Sequence, residues 1–332
     1  MKVLFLDCFS GISGDMTVGA LVDLGVKPST LEWELSKLDL GEFHMHFERQ
    51  QRQQMEGVKF GIHEGATHTH DQDEHDAHCE GHHHHEHASH EHGHEHGHGH
   101  EAAHAHEHSH EEDKEHDHGH HHPHEAHEHE DEHEHHEHDH DHGSEVTAHH
   151  HHEHGHEDRH GRSHEHIREL IEHSELSHFV KKHAMAIFQR IAVAEAKIHG
   201  EPVDKVHFHE VGGLDSIADV VCACAGIEAL GVQKVFVSAL HDGSGTVHCA
   251  HGTFPLPAPA TLEILKGIPL GQIDEPHELI TPTGAAIVAE FGASFGPMPQ
   301  LKIEKIGYGV GSRDLTSRPN VLRAVIGTLV ED

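Results

Sequence analysis

The alternation of apolar and polar positions near the N-terminus predicts a strand, a glycine turn and a helix in succession. Residues 2–9 contain a short apolar run typical of a buried strand, and 10–14 form a turn of small residues. The positions that follow at helical spacing on one face are Met16, Ala20, Leu21 and Leu24. Residues 28–38 have the pattern of a second helix with proline near its start, and 43–63 alternate as strands do. The N-terminal part is therefore predicted to be α/β.

The second half of the chain alternates between strand-like and helix-like patterns. Structure is expected to resume at 167–171, and a long helical pattern at 179–198 ends near Gly200. Further helices are predicted at 215–230, 258–265 and 283–291, and strands at 206–208, 234–240, 301–307 and 321–330. Strands that alternate with helices predict an α/β fold with a mixed, partly parallel sheet and flanking helices.

The segment between these two parts has almost no aliphatic or aromatic residues. From about residue 65 to 162 it consists mainly of His, Glu, Asp, Gly and Ala. Such a composition buries too little apolar surface to offset the entropy of ordering a backbone, so we expect the segment to be disordered without metal. We therefore divide the chain into an N-terminal core part at 1–62, a His-rich insert at 63–166 and a C-terminal core part at 167–332.

The insert also explains the unusual charge of the chain. It holds 43 of the 55 histidines and carries −27 of the formal net charge of −37. An acidic chain without a basic stripe argues against nucleic acid or an anionic membrane as main partner and favours cations. The N-terminal apolar run is too short for a signal peptide or a membrane span, and the five cysteines have no disulfide spacing. These features predict a cytoplasmic protein, and a homo-oligomer is compatible with them.

Histidine runs in the insert indicate binding of divalent transition metals. The longest runs are His82, His83, His84, His85 and His149, His150, His151, His152. Imidazole binds Ni, Cu and Zn, so the runs offer many interchangeable ligand sets, and composition names no single metal. A solvated linker or a pH-sensing segment is the alternative interpretation. As a metal binder the insert would collect or deliver ions, because disordered ligands cannot hold a reacting group in place.

The turn after the first strand is a candidate site in the folded part. Asp7, Ser13 and Asp15 flank glycines where a strand meets a helix, and such turns present backbone N–H groups and side chains to a ligand. No lysine follows the glycines, so the turn is not a Walker A loop. For Asp15, a role as helix N-cap is the alternative.

A second constellation combines histidines and carboxylates around a Gly-Gly turn. On a strand, His207 and His209 would share a face. Asp215 and Asp219 would share a face of the following helix. With Glu210 they bring two histidines and three carboxylates together for metal binding or acid-base chemistry. The alternative makes Asp215 an N-cap and His207 a histidine satisfied within its strand.

A third candidate is the glycine-rich segment 241–251. His248, Cys249 and His251 follow a predicted strand, and imidazole with thiolate suits a specific metal site. The segment has no C-x-x-C or H-E-x-x-H spacing, so an ordinary Gly/Pro loop with one buried cysteine is the alternative.

Two residues near the C-terminus are candidates for holding an anionic group. Thr283 lies at a predicted helix start, and Arg313 lies in a glycine loop at 307–314. Hydroxyls, helix starts and guanidinium groups bind phosphate or carboxylate. For Thr283 taken alone, a plain helix cap is the favoured role.

Six motifs occur in series outside the insert. They are DCFSGISGDM at 7–16, HFHEVGGLDSIAD at 207–219, GSGTVHCAHGTFPLPAPAT at 243–261, LITPTGAA at 279–286, GYGVGSRD at 307–314 and RPNVLR at 318–323. In this order they resemble the nickel insertion proteins that complete the nickel-pincer cofactor of lactate racemase. The internal histidine-rich segment before the second motif is a further likeness.

The resemblance implies a nickel insertase, a cyclometallase of the lyase class. It would insert Ni(II) into pyridinium-3,5-bisthiocarboxylic acid mononucleotide, with two Ni–S bonds and one Ni–C bond, in a reaction that consumes CTP. By this analogy the candidates for nickel or acid-base roles are His207, His209, Glu210, Asp215 and His251. The candidates for holding substrate are Asp7, Ser13, Asp15, Thr283 and Arg313.

The chain departs from the family pattern at its C-terminus. Members of the family usually continue beyond the RPNVLR motif into a domain that binds the metal nucleotide, whereas this chain ends at Asp332. We therefore expect the CTP site, with its divalent metal, on a separate C-terminal polypeptide or on a longer product. The alternative to an enzymatic function is that the chain is a non-enzymatic nickel or zinc storage protein or metallochaperone.

Overall fold

A computed structural model describes residues 1–65, 162–208, 211–249 and 252–330. The histidine runs of the insert and its predicted disorder lie outside the described residues, and so do His209, Glu210 and His251.

The described chain alternates between helices and strands. The helices are α1 (Gly14–Asp23), α2 (Pro28–Leu35), α3 (His164–Glu172), α4 (His178–His199), α5 (Leu214–Leu230), α6 (Pro259–Ile264) and α7 (Pro282–Phe291). The strands are β1 (Lys2–Asp7), β2 (Phe43–Arg52), β3 (Met55–Glu64), β4 (Lys234–Val237), β5 (Leu240–Asp242), β6 (Thr246–Cys249), β7 (Gly252–Pro255), β8 (Leu270–Gln272), β9 (Gly292–Phe295), β10 (Leu301–Val310) and β11 (Val321–Leu329). A short 3-10 helix spans Val203–Lys205.

The main sheet is mixed and partly parallel. Within the described residues, seven strands pair in the order β2-β3-β10-β11-β1-β4-β9. The central strand β1 runs parallel to β4 and antiparallel to β11. The pairs β4–β9 and β3–β10 are also parallel, and the remaining pairs are antiparallel. The predicted α/β class is confirmed, and strands from both sides of the insert share one sheet.

The helices bury the apolar face of this sheet. Helix α1 packs on β3, β10 and β11, and α7 packs on β4 and β9. Helix α5 is apolar on nearly every face because it contacts α1, α2, α4 and α7 as well as β3. Its cysteines Cys222 and Cys224 are fully buried, and burial raises the pKa of both thiols. Among the described residues we find no helix with the length and hydropathy of a transmembrane span.

Two predicted strands differ in the structure. The predicted strand at 206–208 is wrong: His207 forms only an isolated bridge with Ser163. The neighbouring backbone instead binds the start of α3, since the carbonyl of Val206 accepts a hydrogen bond from His164 N at 3.1 Å. The predicted strand at 234–240 is two strands: β4 ends at Val237, with a last hydrogen bond from Ser238 N to the carbonyl of Leu6 in β1, and β5 pairs with β8 instead.

Candidate active site

The turn after β1 lies at the edge of the sheet where the carboxyl ends of the parallel strands β1 and β4 meet, the usual ligand side of such sheets. Gly11 has a φ of +85° and donates from its N–H to the carbonyl of Cys8 at 2.9 Å. Ile12 N donates to the carbonyl of Leu279 at 2.8 Å, and Thr281 N donates back to Ile12 O at 3.2 Å. The turn is therefore docked on the segment that precedes α7.

This docking places the N-termini of α1 and α7 side by side. Thr281 caps α7, because its Oγ1 accepts a hydrogen bond from Gly284 N at 3.2 Å. The cap predicted at Thr283 is thus wrong: Pro282 occupies the first turn, and the buried Thr283 follows it. A Cβ on Gly284 would overlap the carbonyl oxygen of Ile12, so that only glycine permits this approach. Two helix starts with partial positive charge converge at one place.

A cavity of about 450 Å³ opens beside these helix starts. Its volume lies within the range of about 300–1,000 Å³ typical of small-molecule sites. The walls come from the starts of α1, α6 and α7, the end of α4, the segment between the 3-10 helix and α5, the β6–β7 hairpin and the loop after β10. The polar side chains among them are Ser13, Asp15, Glu195, His199, Ser216, Asp219, His248, Cys249, Glu278, Thr281, Thr283 and Arg313. No single segment of the sequence supplies this site.

The cationic group at the cavity wall is Arg313. Its Nη1 donates to the carbonyl of Glu278 at 3.0 Å, and its Nη2 lies 3.5 Å from the Glu278 carboxylate. The side chain remains 47% exposed. A guanidinium carries five N–H donors, more than these contacts use. Arg313 and the starts of α1 and α7 together suit an anionic ligand group.

Asp15 supplies a negative charge close to this cationic region. Lys59 of β3 forms an ion pair with the Asp15 carboxylate, and Ser13 donates a hydrogen bond to it. The N-cap alternatives for Asp15 and Asp215 are not found: Ser13 and Gly213 hold the N-cap positions, and both carboxylates lie in the first turns. Asp215 is exposed as a residue, and partial desolvation of its carboxyl is the main cause of its raised pKa.

The cavity lining also includes side chains that suit a transition metal. His199 Nε2 lies 3.2 Å from the Glu195 carboxylate at the end of α4, and His248 and Cys249 come from the β6–β7 hairpin. Imidazole and thiolate are ligands for Ni, Cu and Zn. Among the described residues, however, no three His, Cys, Asp or Glu side chains are arranged to hold a metal ion together. A metal bound here would need ligands beyond those that the described residues bring together.

The structure brings together most of the residues predicted to hold substrate. The cavity wall includes Ser13, Asp15, Thr283 and Arg313. Asp7 is not among the wall residues and instead pairs with Arg323 Nε at 2.9 Å. The exposed His207 and Asp215 are not among them either. The remaining predicted ligands His209, Glu210 and His251 lie outside the described residues.

Glu195 and His199 were not predicted as site residues. Their i, i+4 spacing on a long helix puts both on one face, and this was a usable signal. Phe208 and Glu278 carry no comparable local signal, since only the tertiary fold brings them to the cavity.

The architecture defines the class of protein: an α/β protein with a cavity whose lining combines groups that suit an anionic ligand with groups that suit a transition metal. The family model for nickel insertion proteins matches residues 4–332. The chain belongs to this family, as the six motifs predicted.

Named relatives give the same assignment. A pyridinium-3,5-bisthiocarboxylic acid mononucleotide nickel insertion protein of Geobacillus kaustophilus is 38% identical over 333 residues, covering 98% of this chain and 60% of the relative. Proteins of the same name from Desulfitobacterium hafniense and Staphylococcus epidermidis are 34% and 35% identical, covering 100% and 98% of this chain. This chain thus spans about 60% of the length of these curated relatives. No solved structure matches it.

Proposed function

We propose that this chain binds pyridinium-3,5-bisthiocarboxylic acid mononucleotide in the cavity and takes part in inserting Ni(II) into it. The observation that carries the proposal is that the lining of a single cavity combines Arg313 and two helix starts with carboxylate, imidazole and thiolate groups. The names of relatives at 34–38% identity support the same substrate. The nucleotide phosphate would bind at Arg313 and the start of α7, beside Thr283.

Nickel is the cargo of this reaction, and the substrate supplies most of its ligands. Two thiocarboxylate sulfurs and one ring carbon hold the metal in the product. Ni(II) favours four ligands in a square-planar arrangement, so the protein needs to provide few donors. This accords with a cavity wall that offers His199, His248 and Cys249 without a complete metal site among the described residues.

The remaining predicted roles are retained as part of this proposal. His209, Glu210 and His251 stay candidates for nickel or proton transfer, and the insert collects nickel for delivery. CTP with its divalent metal would bind outside this chain, in the part of the longer relatives that it does not span. The protein would act in the cytoplasm.

Replacing Arg313 with alanine tests the phosphate position. We expect the Kd for the mononucleotide, measured by isothermal titration calorimetry, to rise at least about tenfold, because a hydrogen bond to a charged group contributes roughly 1.5–3 kcal/mol. Arg168→Ala is the matched control, since Arg168 is 49% exposed and pairs with Glu172 on α3, away from this cavity. An unchanged Kd for Arg313→Ala, or no mononucleotide binding by the unmodified chain, would contradict the proposal.

A further inference from the structure

The carboxyl group of Asp219 is held firmly at the wall of the cavity. Asp219 lies in the second turn of α5, and its carboxyl accepts a hydrogen bond from the backbone N–H of Asp15 at the start of α1. Its side chain packs so closely on Gly14 that a Cβ there would overlap it. Asp215, one turn earlier on α5, is exposed and is not a wall residue. Of the two aspartates, Asp219 is the one that lines the cavity.

The surroundings of Asp219 are fixed by a hydrogen-bonded network. Lys59 from β3 bridges Asp15 and Ser312, donating to Ser312 Oγ at 2.6 Å as well as to the Asp15 carboxylate. Ser312 Oγ lies 3.4 Å from Asp15 Oδ2. Lys59 and Asp15 are mostly buried, with 16% and 24% of their side chains exposed. The Asp15 charge is therefore held in one position next to Asp219.

These neighbours make Asp219 a stronger base than an ordinary carboxylate. Burial raises the pKa of Asp219 most, and the negative charges of Asp15 and Asp215 raise it further. Lys59 and the N–H of Asp15 act in the opposite direction and do not cancel the increase. A general base works best when its pKa lies near the working pH, and this environment moves Asp219 toward that range.

Nickel insertion requires such a base. The ring carbon between the two thiocarboxylates carries a hydrogen before insertion and bonds to nickel afterwards. The electron pair of the C–H bond becomes the Ni–C bond, nickel stays Ni(II), and a proton is released. We propose that the Asp219 carboxylate accepts this proton and passes it to solvent, with Lys59 and Asp15 as positioning residues. The assignment rests on the proposed function. It makes Asp219 the base for this proton and leaves His209, Glu210 and His251 as candidates for binding nickel and for other proton transfers.

Asp219→Asn tests the assignment in a nickel insertion assay. The full chain is given the mononucleotide, Ni(II), CTP and the part of the Geobacillus kaustophilus relative beyond the matched region. We expect product to form at least about 100-fold more slowly, within the range for loss of a general base. The Kd values for mononucleotide and nickel should change less than about threefold, because the amide keeps the size of the carboxyl and accepts the same hydrogen bond. Asp204→Asn, at an exposed position, is the control.

Two further readouts separate chemistry from structure. Deuterium on the reacting ring carbon should slow product formation by the unmodified chain. Asp219→Glu should restore part of the rate that is lost in Asp219→Asn. Lys59→Met removes a charge that lowers the pKa of Asp219, so the rising limb of the pH–rate profile should move to higher pH. An unmoved profile would overturn the positioning role of Lys59.

Thermal unfolding shows whether Asp219→Asn is folded. Because the folded state raises the pKa of Asp219 above its ordinary value of 3.8, the contribution of Asp219 to wild-type stability is greatest below that pH and is lost as pH rises through the folded pKa. The Tm of the variant relative to wild type should therefore increase from pH 4 to pH 8. If Asp219→Asn forms product at a rate within threefold of the wild-type rate, Asp219 is not the base, and the proposed function is unaffected. A wild-type chain that binds no mononucleotide or forms no product would overturn both proposals.

Discussion

Replacement of residues 66–161 by a short Gly/Ser linker should remove most of the nickel bound per chain and leave nickel insertion intact at saturating nickel. This segment holds 40 of the 55 histidines, enough for roughly ten four-ligand sites. Gly65 and Arg162 are retained because they anchor the core: Gly65 N donates to Glu42 O at 2.9 Å and Arg162 N to Gly212 O at 3.4 Å. Equilibrium dialysis with elemental analysis measures the bound nickel.

The same replacement distinguishes between the two functions considered for this chain, nickel insertion and nickel storage. A segment of equal length with every histidine changed to serine controls for the loss of chain length. If bound nickel stays at the wild-type level, the histidine runs are not the reservoir. If insertion is also lost at saturating nickel, the insert does more than collect ions. A protein built only for storage would lose its bound nickel and show no insertion in either form.

Gly284→Ala should both destabilise the fold and abolish mononucleotide binding. The added Cβ would overlap the carbonyl oxygen of Ile12 and approach its carbonyl carbon to 2.7 Å. These are backbone atoms of the turn docked on α7, so the strain cannot be relieved by rotating a side chain. Overpacking of this kind destabilises the folded state by about 1–3 kcal/mol. It would also separate the starts of α1 and α7, which together form the anion-binding end of the cavity. Urea unfolding and calorimetric titration measure the two effects.

Gly213→Ala is the matched control for this substitution. Gly213 has a φ of −73° at the N-cap of α5, and a Cβ there would meet no atom within 4 Å. Exchange of glycine for alanine at a helix N-cap costs about 1 kcal/mol or less. Equal unfolding free energies for the two variants would show that the contact between Gly284 and Ile12 is not tight.

Local patterns were sufficient for the elements that bury one apolar face. The long helix α4 ends at His199 with Gly200 in the left-handed conformation, as the glycine after the periodic stretch predicted. The strands β2 and β3 follow from the alternation at 43–63, and α5, which is apolar on nearly every face, follows from the length of its apolar stretch. The strand predicted at 206–208 failed because its hydrogen bonds go to the start of α3, a contact that no local pattern reveals.

The cavity was predictable only in part. The motifs around Ser13, Thr283 and Arg313 were recognised separately, but their convergence depends on the docking of the first turn against α7. The correct cap of α7 was within reach, because Pro282 in the first turn points to the preceding Thr281. The β6–β7 hairpin was missed because glycines at both ends weaken the strand signal.

The central claim is tested most directly by mass spectrometry of the mononucleotide. It is recovered after incubation with the full chain, Ni(II), CTP and the part of a longer relative that this chain does not span. The proposed function predicts nickelated mononucleotide, in an amount that falls at least about tenfold at limiting substrate when Arg313 is replaced by alanine. No nickelated product under any combination of these components would contradict it, and so would product formation that does not depend on Arg313.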